Sequence, residues 1–482
     1  MPDAAGGGAA RRLCHPREDL LASRYGRLAK RPSARDKTLE TDMEMVMKPI
    51  NIGLMGVGTV GGGVATVLKR NAEEIARRAG REIRLTIASR RNLELARQLV
   101  GDEVKLVADA FAVVNDPEVD IVVELIGGDT VAKELVLKAI ANGKHVVTAN
   151  KKLLAVHGNE IFARAQEQGV MVAFEAAVAG GIPIIKALRE GLSANRIEWI
   201  AGIINGTSNF ILTEMREKGA SFADVLAEAQ RLGYAEADPT FDIEGHDAGH
   251  KLTIMAALAF GIPMQFDSCY LEGISKLDGV DIKYAEELGY RVKLLGFTRR
   301  TDAGVELRVH PTLIPESQLI ANVNGVMNAV LAKGDAVGQT LHYGAGAGAL
   351  PTASAVVADI VDVTRLLTAD PEHRVPHLAF QPDQLKDLRI LPIDEVYSSY
   401  YLRIGAADRA GVLANITGLL AENDISIEAL IQKGSASEGN AEVVILTHRV
   451  QEGAINAAIA AIEALDSVAG KVVRLRMEEL ND

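Results

Sequence analysis

The stretch INIGLMGVGTVG, residues 50–61, narrows most what this chain can become. Residues 50–55 read as a buried strand. Gly56, Gly58 and Gly61 then follow in the spacing G-x-G-x-x-G, ahead of a segment of helical period, 60–78. The first glycine permits a tight turn, the second lets backbone approach a diphosphate, and the third lets the helix pack on the strand. Thr59 and Val60 stand where the helix begins, and its unpaired N–H groups and positive dipole end suit phosphates. A lone motif of this kind is weak evidence, but here the alternation continues. Strands are expected at 83–89, 104–107, 120–125, 145–148 and 170–174, with helices at 92–99, 131–141 and 153–168. Strands that are apolar nearly throughout, alternating with helices, predict right-handed crossovers and a parallel sheet covered on both faces.

Residues 49–182 are therefore expected to form a Rossmann-type, doubly wound α/β domain that binds a dinucleotide. Its second strand ends Ala88-Ser89-Arg90-Arg91, without the acid that holds a ribose 2′-hydroxyl in NAD-selective sites. Two arginines and a hydroxyl suit a 2′-phosphate, so NADP is expected over NAD, with NAD possible. The alternative, less favoured, is that Arg90 and Arg91 are a solvated helix approach.

Past residue 181 the rhythm loosens. A strand at 197–204 and helices at 210–217, 222–232 and 245–260 predict a mixed α/β substrate and dimerisation domain, 183–342. A glycine-rich loop then runs into an apolar helix ending at 367, expected to return to the nucleotide lobe and complete it (343–368). Four prolines mark a linker, 369–396. The order βαββαβ follows over 397–482, a ferredoxin-like module. Residues 1–48 carry no sustained apolar period; disorder, and a mis-called start before Met43, Met45 or Met47, are the expectations there.

The formal net charge of −12 argues against a nucleic-acid surface, and no apolar run is long enough for a bilayer. Two cysteines, Cys14 and Cys269, fit a reducing, cytoplasmic setting.

Oxidising an alcohol needs a base for the proton and a cation for developing alkoxide charge. Two lysine settings qualify. Thr148-Ala-Asn150-Lys151-Lys152 follows a parallel strand at its carboxyl end, where ligands bind in open α/β sheets. Asp247 and Lys251 lie four apart on an expected helix, about 5–6 Å apart at Cβ. On pattern alone that pair reads more readily as a surface salt bridge. Glu236, Asp238 and Asp242 precede it in a proline-containing loop; they could bind an ammonium group or complement the helix dipole. His246 and His250, also four apart, read as polar helix residues rather than metal ligands.

At these residues the chain resembles homoserine dehydrogenases. The likeness spans residues 50–367 in separated motifs: GVGTVG, TANKK, FEAAVAGGIPII, GIINGTSNFIL, LGYAEADPTFDIEGHDAGHK and YGAGAGALPTASAVVADI. It implies reversible transfer of hydride between homoserine and aspartate semialdehyde, in the route to threonine, methionine and isoleucine. By the same resemblance Lys251 is the catalytic lysine and Lys151 stands between cofactor and substrate. Glu236 and Asp247 bind substrate, supported by Asp242. Thr148 and Gly233 lie at the cofactor, as do Gly344, Gly346 and Gly348 of the late loop. Glu175, Val178, Gly180 and Ile182 hold a monovalent cation, sodium by expectation. Residues 402–413 resemble the opening of an ACT domain, which implies an amino-acid effector, threonine first, and a dimer or tetramer. The rivals are aspartate dehydrogenase, a semialdehyde dehydrogenase that would need Cys269 as nucleophile, and a catalytically silent NADP-binding regulator.

Overall fold

The computed structural model describes residues 48–367, 370, 374–434 and 440–481. The expectations for the N-terminal extension and for Cys14 fall outside them. β1 (Ile50–Met55), β2 (Ile83–Ser89), β3 (Lys105–Val107), β4 (Ile121–Glu124), β5 (His145–Thr148) and β6 (Val172–Ala173) form one sheet in the order β3-β2-β1-β4-β5-β6. Every neighbouring pair is parallel. The winding reverses beside β1, which opens a crevice at the carboxyl ends of β1 and β4.

α1 (Thr59–Arg70), α2 (Ala72–Ala79), α3 (Leu93–Val100), α4 (Phe111–Asn115), α5 (Val131–Ala141) and α6 (Lys151–Glu167) belong to this lobe. The single helix expected over 60–78 is two. Asn71 leaves helical angles at φ −110°, ψ 22°. The break lets Ile75 and Ala79 reach the core while Glu73, Glu74, Arg77 and Arg78 stay in water. α4 was not expected, because five residues are too few to display a period.

The second part is built on α7 (Ile184–Lys186), β7 (Ile197–Ile203), α8 (Gly206–Lys218), α9 (Phe222–Arg231), α10 (Thr240–Ile243), α11 (His246–Phe260), β8 (Tyr270–Leu271), α12 (Gly279–Glu287), β9 (Tyr290–Arg300), β10 (Val305–Pro315), β11 (Met327–Gly334) and β12 (Gly338–Ala345). Only β7 among these strands is expected from sequence. β9 and β10 are buried along most of their length, so they show no in–out alternation to betray them. α13 (Ala349–Leu366) returns to the first lobe, as its sequence suggested. Ala353, Val356 and Ile360 share one core with Ile52, Leu54 and Val64.

β13 (Tyr397–Ala407), α14 (Val412–Glu422), β14 (Ile427–Gly434), β15 (Asn440–Thr447), β16 (Val450–Gln451), α15 (Glu452–Glu463) and β17 (Val468–Met477) complete the chain. They follow the expected βαββαβ order with one short strand added. They do not hang from a tether. One sheet runs β12-β11-β7-β9-β10-β17-β13-β15-β14, so the C-terminal strands extend the sheet of the middle part. The join is β10 against β17, parallel, with Thr312 opposite Arg476 and Leu313 opposite Met477. The proline-bearing segment is docked as well: Val305 N–H donates to Arg389 O at 2.8 Å, and Leu391 N–H to Val305 O at 2.8 Å. No helix among the described residues is long and apolar enough to cross a membrane.

Candidate active site

The first turn is shaped for a diphosphate. A Cβ on Gly56 would lie 2.6 Å from Leu125 O, and one on Gly61 would lie 2.3 Å from Gly56 O. Neither position tolerates a side chain. Gly58 faces nothing within 4 Å, so its surface is bare backbone beside open space. That space is where a phosphate would approach the N-terminus of α1. Two clefts flank the turn. One, of about 530 Å³, is lined by Gly58, Ser89, Arg90 and Arg91. Arg90 donates to Val57 O from Nη1, whereas Arg91 is exposed. The other, of about 590 Å³, is lined by Val60, Lys151, Gly233, Asp242, Asp247, Lys251, Gly346 and Gly348. A dinucleotide laid across the glycine turn would put one end in each.

The ends of β4 and β5 are tied to one another. Thr148 Oγ1 donates to Glu124 Oε2 at 2.6 Å, and Glu124 Oε1 accepts the N–H groups of Ile126 (2.8 Å) and Gly127 (3.0 Å). Asn150 caps α6, its Oδ1 accepting Leu153 N–H at 3.1 Å, while its Nδ2 donates to Gly128 O at 2.6 Å. Lys151 therefore begins α6 at the mouth of the second cleft. Thr148 is fully buried and does not line that cleft; Thr59 is exposed on the first turn of α1.

α11 is buried from Asp247 to Phe260, an apolar helix carrying two charges. Lys251 Nζ donates to Asp247 Oδ2 at 2.8 Å and to Ile204 O at 2.7 Å. Lys151 Nζ lies 3.1 Å from Asp247 Oδ1. One carboxylate thus bridges two amines. The surface-pair reading of Asp247 and Lys251 is overturned, since their side chains are only 6% and 11% exposed. Burial, helped by the charge of Lys151, pulls Lys251 below the ordinary lysine range against the pull of Asp247. Asp247 in turn pushes Lys151 up. Burial alone would raise the Asp247 carboxyl, but the two lysines hold it well below the usual range.

Asp242 joins this group through a residue that sequence reasoning passed over. Asn205 caps α8, its Oδ1 accepting Ser208 N–H at 2.8 Å. Its Nδ2 donates to Asp242 Oδ1 (2.8 Å) and Asp247 Oδ2 (2.9 Å). Thr207 Oγ1 donates to Tyr234 O at 2.6 Å. Burial and nearby Asp247 raise the Asp242 carboxyl. The detectable signal was a polar Asn-Gly-Thr run between an expected strand and helix, a capping sequence at a strand's carboxyl end. Glu236 is not brought into the cleft wall. It is exposed on the loop after α9, though its charge acts on Lys151. Gly233, with φ +76°, does line the cleft.

His250 lies between aromatic rings, with centroids 4.1 Å from Phe266 and 5.4 Å from Phe241. Glu175, Val178, Gly180 and Ile182 form a buried loop beside the late glycines. The Glu175 carboxylate already accepts the N–H groups of Ile185 (2.8 Å) and Lys186 (2.9 Å). What these four residues can offer a cation is their main-chain carbonyls, suitable oxygen donors for a hard ion. Cys269 is poorly placed as a nucleophile, because burial pushes its thiol up to about 12.

Residues 183–361 match the family model for homoserine dehydrogenase, residues 56–175 that for its NAD binding domain, and residues 400–467 that for the ACT domain. The homoserine dehydrogenase of Neisseria gonorrhoeae is 68% identical over 436 residues, 90% of this chain and 100% of that protein. The crystal structure of a homoserine dehydrogenase from Thiobacillus denitrificans is 70% identical, with a TM-score of 0.87, covering 90% of this chain and 99% of that one. A hyperthermophilic archaeal homoserine dehydrogenase in complex with NADPH is 27% identical, with a TM-score of 0.57, covering 66% and 98%.

Proposed function

The chain belongs to the homoserine dehydrogenase family, and from that premise we propose that it interconverts L-homoserine and L-aspartate 4-semialdehyde with NADP, through the amine of Lys251. The observation that carries this reading is the triad of buried Lys251 and Asp247 with half-buried Lys151 on the wall of a cleft shared with the glycine turn's helix and the late glycine loop. When bound, NADP supplies the acceptor for hydride from the hydroxyl-bearing carbon. Gly56, Gly58 and Gly61 would hold its diphosphate and Arg90 and Arg91 its 2′-phosphate.

In oxidation, neutral Lys251 takes the hydroxyl proton; in reduction, its protonated form returns it to the aldehyde oxygen. Asp247 fixes Lys251 at 2.8 Å and keeps Lys151 charged beside it, where a cation offsets negative charge growing on oxygen. The carboxylate of Asp242 on the cleft wall suits the substrate ammonium, with the exposed Glu236 adding negative charge nearby. A sodium ion on the carbonyls of Glu175, Val178, Gly180 and Ile182 would brace the loop and take no part in proton movement. The C-terminal module would bind threonine as end-product effector, in a dimer or tetramer.

Reduced-nicotinamide absorbance with homoserine and either cofactor tests this directly. NADP is expected to support faster turnover than NAD, and millimolar threonine to slow it. Lys251→Met should lower kcat about 10²–10⁴-fold, the usual share of a general base, with the Kd for NADPH little changed. Wild-type turnover in that variant would remove Lys251 from the mechanism.

A further inference from the structure

Asn328 is the second residue of β11, opposite Gly344 of β12, and lies on the cleft wall with Lys151 and Lys251. It is 1% exposed, and its Oδ1 has no hydrogen-bond partner among the described residues. Other polar side chains of that wall are already engaged: Asn205 with both carboxylates, Asp247 with both lysines, Thr207 with the main-chain carbonyl of Tyr234. A buried acceptor left without a donor is disfavoured, so an amide held this way in a ligand cleft is matched to a donor the ligand brings.

The amide also lies close against one glycine. It presses on the backbone of Gly346, where a Cβ would come within 2.0 Å of Nδ2 and 2.5 Å of Oδ1. Only glycine at 346 leaves it room. The partner's chemistry follows from charge. An ammonium group calls for carboxylate, and Asp242 and Asp247 already stand in the cleft. A neutral acceptor fits a neutral N–H. A primary carboxamide carries such an N–H, which Oδ1 would accept.

Resting on the homoserine dehydrogenase reading above, we propose that Asn328 pairs with the carboxamide of the nicotinamide ring, setting which part of the ring meets the substrate. The test compares NADPH with its reduced acetylpyridine analogue, in which an acetyl group replaces the carboxamide and no N–H remains. Equilibrium binding is read by fluorescence on the full-length protein, for wild type, Asn328→Ala and Asn328→Leu. Leucine keeps the volume over Gly346 should alanine lower the melting temperature. NADPH Kd should rise roughly tenfold in the variants, the worth of one hydrogen bond, while the analogue's Kd stays within about twofold of wild type. The KM for homoserine should not move. An equal loss for both cofactors, no loss at all, or a rise confined to homoserine KM would each overturn the assignment, the last pointing to the substrate ammonium instead. Wild-type oxidation of homoserine is measured alongside. Its failure would sink the underlying reading, whereas its success with equal Kd losses would sink only the pairing.

Discussion

Lys251 can accept a proton only while its amine is neutral, and its surroundings decide the pH at which that holds. Burial and Lys151 lower its pKa from the ordinary lysine value of 10.5. The rate of homoserine oxidation should therefore rise with pH and level off below that value, while aldehyde reduction falls over the same interval. Lys251→Met should lack this limb; a pH–rate profile for both directions checks it. A second buried amine behaves differently. Lys293 donates from Nζ to Val323 O at 2.6 Å and to the side chains of Asn209 and Asn324 at 3.2 Å, pinning the loop that brings Val326 to the cleft. Burial, with Arg216 and Arg291 nearby, pulls it down to about 7. Between about 7 and 10.5 the unfolded chain binds the proton and the folded one does not, so stability should rise with pH across that interval. Denaturant titrations should show this slope in wild type and its absence in Lys293→Met. The catalytic pair was legible in sequence as a spacing, yet its burial was not. The same i,i+4 pattern serves surface and core, and only the elements packed around α11 distinguish them.

At the scale of an element, the strand–turn–helix at β1 and α1 separates two jobs that glycine does. Gly61 is crowded by Gly56 O, so Gly61→Ala should lower the melting temperature even without cofactor. Gly58 touches nothing within 4 Å, so Gly58→Ala should leave apo stability within about 1 kcal/mol of wild type, the range of an exposed Gly/Ala exchange, yet weaken NADPH binding. Thermal melts with and without NADPH check both. β1, β2, α5 and β5 stand at the bounds read from sequence, because each combines an unbroken apolar run or a clear period with strong punctuation. The break at Asn71, the short α4, and β9 to β12 did not announce themselves. Their signals are brief, their residues are buried on both faces, or, in β12, glycines interrupt a half-exposed run.

Across the whole molecule, the C-terminal module is welded to the catalytic sheet by a buried ionic seam. Arg308 of β10 meets Glu478, just past β17, at 2.5 Å and Glu306 at 2.9 Å. Arg403 of β13 meets Asp281 of α12 at 2.6 Å. Removing residues 397–482 would strip β10 of its neighbour β17 and leave Arg308 without one of its carboxylates, so truncation would damage the fold as well as remove a regulator. Substitution within the module is the cleaner probe of regulation. Arg308→Met should destabilise by about 3–5 kcal/mol, because it leaves buried carboxylates short of a partner. Denaturation followed by far-UV circular dichroism would show this as a lower midpoint in one shared transition. Two separated transitions in the wild type would contradict the welded sheet.

The linear chain determined the nucleotide lobe, the order of the C-terminal strands and helices, and the types of residue available for chemistry. Each is written in local terms: a period, a glycine spacing, a run of apolar residues. Tertiary structure alone decided that Asp247 bridges two lysines, that Asn205 and Asn328 belong to the cleft, and that Glu236 is left out of its wall. It also decided that the last domain shares a sheet with the middle one. Those facts depend on contacts between residues far apart along the chain, whose energies come from burial and mutual charge, and neither exists until the elements pack.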